Sequence, residues 1–380
     1  MHIASTKAQL AAQLSLVIGA SDARATVPML STVLLKTLPD NRLSLLCSDT
    51  GVVARSLASC EAIKAPGELA VDAKRFNEIV RAVPDDATIE LKLDTPAKAG
   101  QTANLLLKAG RSRFRLPVFA ANDYPKMVTE QADRMSISLS SKRLAELIDQ
   151  VAPAMGVNDV RPYLNGTLCI FDDKGLSLVS TDGFRLAIAH EAISGMPETA
   201  RQAIIPRKSL LLAKKLLGQA KDAAVTLTLG PKDVQFAFPD GNVLLTRCLE
   251  GVFPDYKRVL PTATTLVEVP VPTLRNTLTM MGAAMVVTAD SASKFRVDID
   301  LKRDTLVIRQ GDASRSEVDC TMTAGEEGTI SINLNFLRDA IDACGNAERL
   351  LIGSSNERSP VLVRPVGADF PLNVIMPMKA

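Results

Sequence analysis

The sequence predicts an α+β protein made of three tandem copies of one domain, each with two helices backed by antiparallel sheet. Three observations carry this. A stripe of apolar residues at helical spacing runs through Leu144, Leu147, Ile148 and Val151, with weaker versions at Leu10, Leu14, Val17 and at Leu274, Leu278, Met281, whose starts lie 134 and 130 residues apart. A second set begins at Phe76 (with Ile79, Val80, Val83), at Leu210 and at Leu337 (with Ala340, Ile341, Cys344), separated by 134 and 127 residues. Between the two sets, a strand-like segment from Leu43 to Asp49 recurs from Leu176 to Asp182, and more loosely from Leu306. Such a period is that of a folding domain, not of a solenoid repeat of roughly 20 to 50 residues.

The second copy shows the element order best. Met135 to Leu139 alternates as a strand, Ser141 stands where a helix cap is expected, and Val151-Ala152-Pro153 ends that helix. Strands are expected at Gly166 to Phe171, Leu176 to Thr181, Phe184 to Glu191 and Gln202 to Ile205. Pro206 then takes the first position of a basic helix, where a missing N–H costs nothing. Alternating segments follow at Val225 to Leu229, Val234 to Phe238 and Val243 to Leu249, and Asp172-Asp173-Lys174-Gly175 and Asp240-Gly241-Asn242 supply hairpin turns. Phe119 to Pro125, Phe253 to Tyr256 and Asp369-Phe370-Pro371 close the three copies, which sets the domains at 1–134, 135–264 and 265–380. No Gly/Ser linker intervenes, so the copies are expected to abut in fixed orientations.

A chain of 380 residues exceeds one ordinary core, and 47% hydrophobic with 23% charged residues is a globular balance. No apolar run reaches the roughly 20 residues of a bilayer span, and Met1 to Lys7 lacks the layout of a signal peptide, so a cytoplasmic location is expected. Cys47, Cys60, Cys169, Cys248, Cys320 and Cys344 form no CxxC pair and read as reduced core residues. Six helical windows (Thr6 to Val17, Ala73 to Val83, Ser141 to Val151, Pro206 to Asp222, Pro272 to Val286, Asn335 to Cys344) carry +7 together, against +2 for the chain, which leaves −5 elsewhere. Two readings of that partition stand: a helical face that meets a polyanion, or a solvated helix surface.

Catalytic constellations are missing from the sequence. His2 and His190 have no partner at metal-ligand spacing, and no H-E-x-x-H, P-loop, G-x-G-x-x-G or G-x-S-x-G occurs. Gly110-Arg111-Ser112-Arg113 is a basic turn, and Asp85-Asp86 and Asp172-Asp173 fall in turns. Asp182-Gly183 with Arg185 repeats the layout of Asp49-Thr50-Gly51 with Arg55, so a duplicated turn explains it. No enzyme, metal site or cofactor is expected. The apolar end, Val374 to Ala380, is a last core strand or an exposed tip that binds something.

Tyr163-Leu164-Asn165-Gly166, Ser180 to Ala187, Pro206-Arg207-Lys208, Phe253 to Tyr256 through Arg258-Val259-Leu260-Pro261, and Met376-Pro377-Met378 together resemble the sliding-clamp family, the β subunit of bacterial DNA polymerase III. Gly110 to Phe114 and Arg24 to Pro28 add to the likeness, which runs the whole chain in order. The resemblance implies two subunits joined head to tail in a ring of clamp domains around double-stranded DNA, a processivity factor for the replicative polymerase that an ATP-driven clamp loader places on DNA. It implies phosphate contacts from Arg24, Lys74, Arg75, Arg81, Asn158, Tyr163, Arg207, Lys208, Lys214 and Lys215. It also implies an apolar groove for a short client peptide, a Gln followed by aliphatic and aromatic residues. The matching groove positions are Leu164, Thr181, Gly183, Phe184, Arg185, Leu186, Pro254, Arg258, Val259, Val374, Ile375, Met376, Pro377 and Met378. The subunit interface would use Arg111, Arg113, Phe114 and Leu116 against Asp312, Glu317 and Asp319.

Departures from the family pattern are Phe184, where His is usual, Pro162, where an aromatic that touches DNA is common, and a near-neutral net charge. Two alternatives stand beside the leading reading. One is a clamp paralogue for specialised repair or mobile-element replication, favoured by Phe184. The other is an enzyme of unrecognised type, which turnover lost on changing Asp182 or His190 would favour.

Overall fold

The computed structural model describes residues 1–94, 103–125, 133–285 and 295–378; Val286, Lys379 and Ala380 lie outside them. In chain order the elements are β1 (His2–Thr6), α1 (Lys7–Val17), β2 (Thr32–Thr37), β3 (Arg42–Ser48), β4 (Val52–Ser59), β5 (Ala62–Ala65), β6 (Glu68–Asp72), α2 (Ala73–Ala82), β7 (Thr88–Asp94), β8 (Asn104–Ala109) and β9 (Ser112–Phe119). Then come β10 (Met135–Ser140), α3 (Ser141–Val151), β11 (Gly166–Asp172), β12 (Gly175–Thr181), β13 (Arg185–Ala192), β14 (Arg201–Pro206), α4 (Arg207–Leu217), β15 (Ala224–Leu229), β16 (Asp233–Ala237) and β17 (Val243–Arg247). The last are β18 (Thr265–Pro270), α5 (Val271–Ala284), β19 (Arg296–Leu301), β20 (Thr305–Gln310), β21 (Ser314–Asp319), β22 (Thr321–Ala324), β23 (Gly328–Asn333), α6 (Leu334–Ala343), β24 (Arg349–Ser354), β25 (Val361–Pro365) and β26 (Leu372–Ile375).

Each α-helix among the described residues starts directly after a strand. Helix starts at Lys7, Ser141 and Val271, and at Ala73, Arg207 and Leu334, keep the separations of the apolar stripes. The strand's last residue is the cap: Thr6 Oγ1 accepts the Gln9 N–H, Asp72 Oδ1 that of Arg75, and Ser140 Oγ that of Arg143. Two local expectations are corrected here. Ser140, not Ser141, caps α3: Ser141 is already the first helical residue, and the Arg143 N–H is taken by Ser140 Oγ. Pro206 ends β14, opposite Gly166, one residue before its helix begins.

Backbone contacts divide the chain into two compact units, Met1–Ala145 with Lys208–Cys248, and Glu146–Arg207 with Leu249–Ala380. The first holds a thirteen-stranded sheet in the order β10-β15-β16-β17-β4-β3-β2-β6-β9-β8-β7-β1-β5. α1 packs beside α2, with Leu10, Leu14 and Val17 of the one and Phe76 and Val80 of the other buried. The second unit holds a nine-stranded sheet, β14-β11-β12-β13-β26-β25-β24-β18-β22, and a four-stranded sheet, β21-β20-β19-β23. Its core gathers Leu274, Leu278 and Met281 of α5 with Leu337, Ala340 and Ile341 of α6. Each such leucine contributes about 1.5 to 3 kcal/mol by leaving water. Residues on either side of position 134 share a sheet where Leu244 pairs with Ala54, and residues on either side of 264 do so where Leu186 pairs with Val374.

All six cysteines are free thiols, and Cys47, Cys169, Cys320 and Cys344 are buried. Burial pushes Cys60 and Cys320 up to about 11 and Cys248 and Cys344 up to about 12, which leaves them poor nucleophiles near neutral pH. No helix among the described residues is long and apolar enough to cross a membrane.

Candidate functional site

The second unit carries a groove whose first wall is the turn between β12 and β13. Asp182 Oδ1 accepts the backbone N–H groups of Phe184 at 2.9 Å and Arg185 at 3.0 Å, while Thr181 Oγ1 accepts the Gly183 N–H at 3.1 Å and donates to the Arg185 carbonyl at 2.6 Å. Gly183 has φ +91°, a conformation that strains any residue with a Cβ. The turn after β3 is built alike: Asp49 Oδ1 accepts from Gly51 and Val52, Ser48 Oγ accepts the Thr50 N–H, and Thr50 has φ +74°. The chain therefore repeats the three backbone N–H to side-chain bonds of this turn. The second copy borders a groove of about 180 Å³.

The groove is lined by Arg161, Leu164, Thr181, Gly183, Arg185, Leu186, Pro254, Asp255, Tyr256, Val259, Val374 and Met376. Its Leu186 and Val374 belong to a buried cluster with Leu168, Val179, Ile188, Ile204 and Phe253, against which Tyr163, Tyr256 and Leu260 pack. β26 pairs with β13, Arg185 opposite Ile375, and just past its end the Met376 N–H donates to the Phe184 carbonyl at 2.9 Å. The C-terminal segment is thus a core strand followed by a half-buried tip, Met376 to Met378.

Several expected positions do not line this groove. Phe184 is 65% exposed beside it, and Ile375 is buried in the neighbouring core. Arg258 is exposed and paired with Asp255 at 2.9 Å. Pro377 is half-buried, and the Met378 N–H donates to the Ser331 carbonyl at 2.8 Å. Sequence reasoning missed Arg161, Asp255 and Tyr256. The last two lie in the Phe253 to Tyr256 motif, so adjacency to Pro254 was the available signal.

Charge at the groove is largely neutralised internally. Arg161 binds Asp159 through Nε and Nη2, both at 2.9 Å, and this hydrogen bonding holds the Asp159 carboxyl down at about 2. Burial raises the Tyr256 hydroxyl, as do the nearby Asp172 and Asp255. The Arg185 guanidinium binds Asp182, Asp339 and the Pro153 carbonyl. What remains open is apolar wall with a thin polar rim. Its volume lies below the roughly 300 Å³ of common small-molecule pockets, which suits one or two side chains of a peptide.

The basic candidates fall in two groups. In the first unit, Lys74 and Arg75 are exposed on α2 and Arg81 is exposed in its last turn. Arg24 is exposed in the loop before β2. On α4, Lys208 pairs with Asp49, Lys215 reaches the Ser15 carbonyl, and Lys214 is exposed beside them. In the second unit, Arg207 Nη1 donates to the Ala152 and Met155 carbonyls at 3.3 and 3.2 Å, which orients it through the backbone. Asn158 is exposed with φ +54°, Pro162 opens a short 3-10 turn, and Tyr163 leans on the groove cluster. No group of three or more metal-ligating side chains occurs among the described residues.

β9 presents Arg113 and Phe114 to solvent, with Arg111 exposed in the turn before it, while Leu116 is buried in the unit's own core. It pairs with β8 from Ser112 to Pro117, and with β6 at Val118 and Phe119. In the second unit β21 is an edge strand carrying exposed Glu317 and Asp319, with Asp312 exposed in the turn before it.

Comparison with known proteins adds the family. Residues 1–128 match the N-terminal domain, and residues 138–255 the central domain, of the DNA polymerase III beta subunit. The beta sliding clamp of Pseudomonas putida is 32% identical over 385 residues, covering 100% of both chains, and that of Pseudomonas aeruginosa is 31% identical with the same coverage. Among solved structures, a sliding clamp from Pseudomonas aeruginosa bound to griselimycin superposes with a TM-score of 0.88 at 30% identity, covering 100% of each chain. The beta sliding clamp of Caulobacter crescentus superposes with a TM-score of 0.87 at 28% identity, covering 100% of this chain and 99% of that one.

Proposed function

We propose that this chain, which belongs to the bacterial DNA polymerase III β sliding-clamp family, holds client proteins by a short peptide seated in the groove of its second unit. Its role is that of a DNA sliding clamp, a processivity factor in DNA replication and not an enzyme. One observation carries the groove reading: a mostly apolar groove of about 180 Å³ bordered by the hydrogen-bonded Asp182 turn on one side and by Met376 on the other. Anchor pockets of Leu, Val, Pro and Met suit aliphatic and aromatic side chains, and Met adapts to several clients. These clients include polymerase subunits and the clamp loader, in the cytoplasm.

Double-stranded DNA is the second partner. Lys74, Arg75, Arg81 and Lys214, with Arg24, Lys208 and Lys215, supply diffuse phosphate contacts that attract without reading sequence. Arg207, Asn158 and Tyr163 serve the same end in the second unit. Enclosure, not affinity, keeps the protein on its template. Two copies close a ring head to tail, the open side of β9 in one meeting the edge strand β21 of the other, where Asp319 is exposed and Glu317 is shared with Arg315. The repeated Asp turn and the six strand-to-helix junctions support three domains, 1–134, 135–264 and 265–380.

The test is electron microscopy of the purified protein. Closed two-copy rings with a hole wide enough for duplex DNA are expected. Compact monomers or solid dimers would remove the sliding mechanism.

A further inference from the structure

We propose that Asp339 and Phe336, which lie outside the groove, are positioning residues for it and act through Arg185. This rests on reading the groove as the client-peptide site. Arg185 borders the groove, yet its guanidinium is turned away from it. Nε donates to Asp182 Oδ2 at 3.0 Å, Nη1 to the Asp339 carboxylate and Nη2 to the Pro153 carbonyl, while Cζ sits 4.3 Å from the centroid of the Phe336 ring. Two carboxylates neutralise the charge and an aromatic ring covers one face. What Arg185 offers the groove is its aliphatic stem.

Asp182 makes the link to the groove. Its Oδ2 takes the guanidinium while its Oδ1 takes the N–H groups of Phe184 and Arg185, so one carboxylate fixes both the arginine and the backbone of the groove wall. On the other side, Phe336 and Asp339 stand three residues apart on α6 and therefore share a helix face. The pocket where Arg185 meets α6 opens to solvent and is lined by Pro153, Phe336 and Asp339, the last with its side chain 41% exposed. The bonds to Asp339 and Pro153 and the ring contact are therefore what hold the guanidinium in place. Removing the α6 partners frees Arg185, loosens Asp182 and lets the wall from Thr181 to Leu186 move.

The experiment is a fluorescence-anisotropy titration of the full chain with a labelled peptide containing Gln-Leu-Leu-Phe. Asp339→Ala and Phe336→Ala should each weaken binding by about fivefold or more, and Asp339→Glu should recover most of the loss. Adding Asp339→Ala to Arg185→Ala should cost nothing further, because both act through one guanidinium. Asp342→Ala, which removes a 3.3 Å pair with Arg275 from the same helix, should bind as the parent does. Parent-like affinity in Asp339→Ala and Phe336→Ala overturns the proposal, as does an equal loss in Asp342→Ala, which would mark a general softening of α6. If the parent chain itself fails to bind, the groove reading falls first and this inference with it.

Discussion

The backbone N–H of Met376 donates to the carbonyl of Phe184 at 2.9 Å, which ties the exit of the last strand to the turn that forms the groove's opposite wall. The bond is made by main chain, so it survives replacement of either side chain. Structure and recognition are therefore separable at Met376.

Met376→Ala should lower affinity for the Gln-Leu-Leu-Phe peptide by about tenfold, equivalent to about 1.4 kcal/mol. The expectation follows from truncating a groove-lining thioether while the 2.9 Å backbone bond stays in place. Thermal unfolding should be nearly unchanged. Unaltered affinity would remove Met376 from the docking surface.

The first unit holds a largely buried ion pair. Arg134 and Asp233 approach to 2.7 Å with side chains only 13% and 8% exposed, and the contact is ionic, not a well-aligned hydrogen bond. Asp233→Ala leaves a buried guanidinium without its carboxylate and should destabilise by about 3 kcal/mol, read as a lower urea midpoint. A midpoint shift equivalent to under about 0.5 kcal/mol would mean that water already reaches the pair.

Acid should act through Glu90. Hydrogen bonds from His2 and then Lys64 hold its carboxyl at about 2, below its ordinary 4.5. The folded-state value is depressed, so this stabilisation is complete above about 4.5 and fades as pH falls towards 2. Melting temperature measured from pH 6 to pH 2 should drop in that window, and Glu90→Gln should flatten the drop. A mutant profile parallel to the parent's would assign the acid response to other carboxylates.

DNA binding is tested by salt. Replacing Lys74, Arg75 and Arg81 by Ala together should make duplex binding less sensitive to salt, by about 0.9 in log–log slope for each phosphate that is no longer neutralised. The readout is binding to a short duplex at several salt concentrations. An unchanged slope would place these side chains away from DNA.

Much of the fold was legible because its signals are local. The stripes of α2, α3, α5 and α6 announce their buried faces at helical spacing, and Asp172 to Gly175 announces a hairpin by turn chemistry. Small errors come from one-residue ambiguity at element ends: Ser140 and Ser141 both have the chemistry of a cap, and it is Ser140, the last strand residue, whose Oγ takes the Arg143 N–H. The groove was legible as scattered motifs, not as a cavity. Arg161 carries no periodic signal, and its place over the groove follows from the Asp159 pairing and from a Gly183 without a side chain in its way.

By itself the sequence determined the spacing of the helices, the order of strands and helices and the duplicated Asp turn, which rest on spacing along one chain, while the family showed as a resemblance carried by short motifs such as Ser180 to Ala187. Only the tertiary structure decided that β17 would pair with β4 and β13 with β26, that Arg185 would turn from the groove to Asp339, 154 residues away, and that Ile375 would be buried while Met376 stayed half-exposed. The reason is physical: periodicity fixes which face of an element is buried, but the partner of a sheet edge or a charged tip is chosen by long-range packing, and neighbours in space leave no mark on neighbours in sequence.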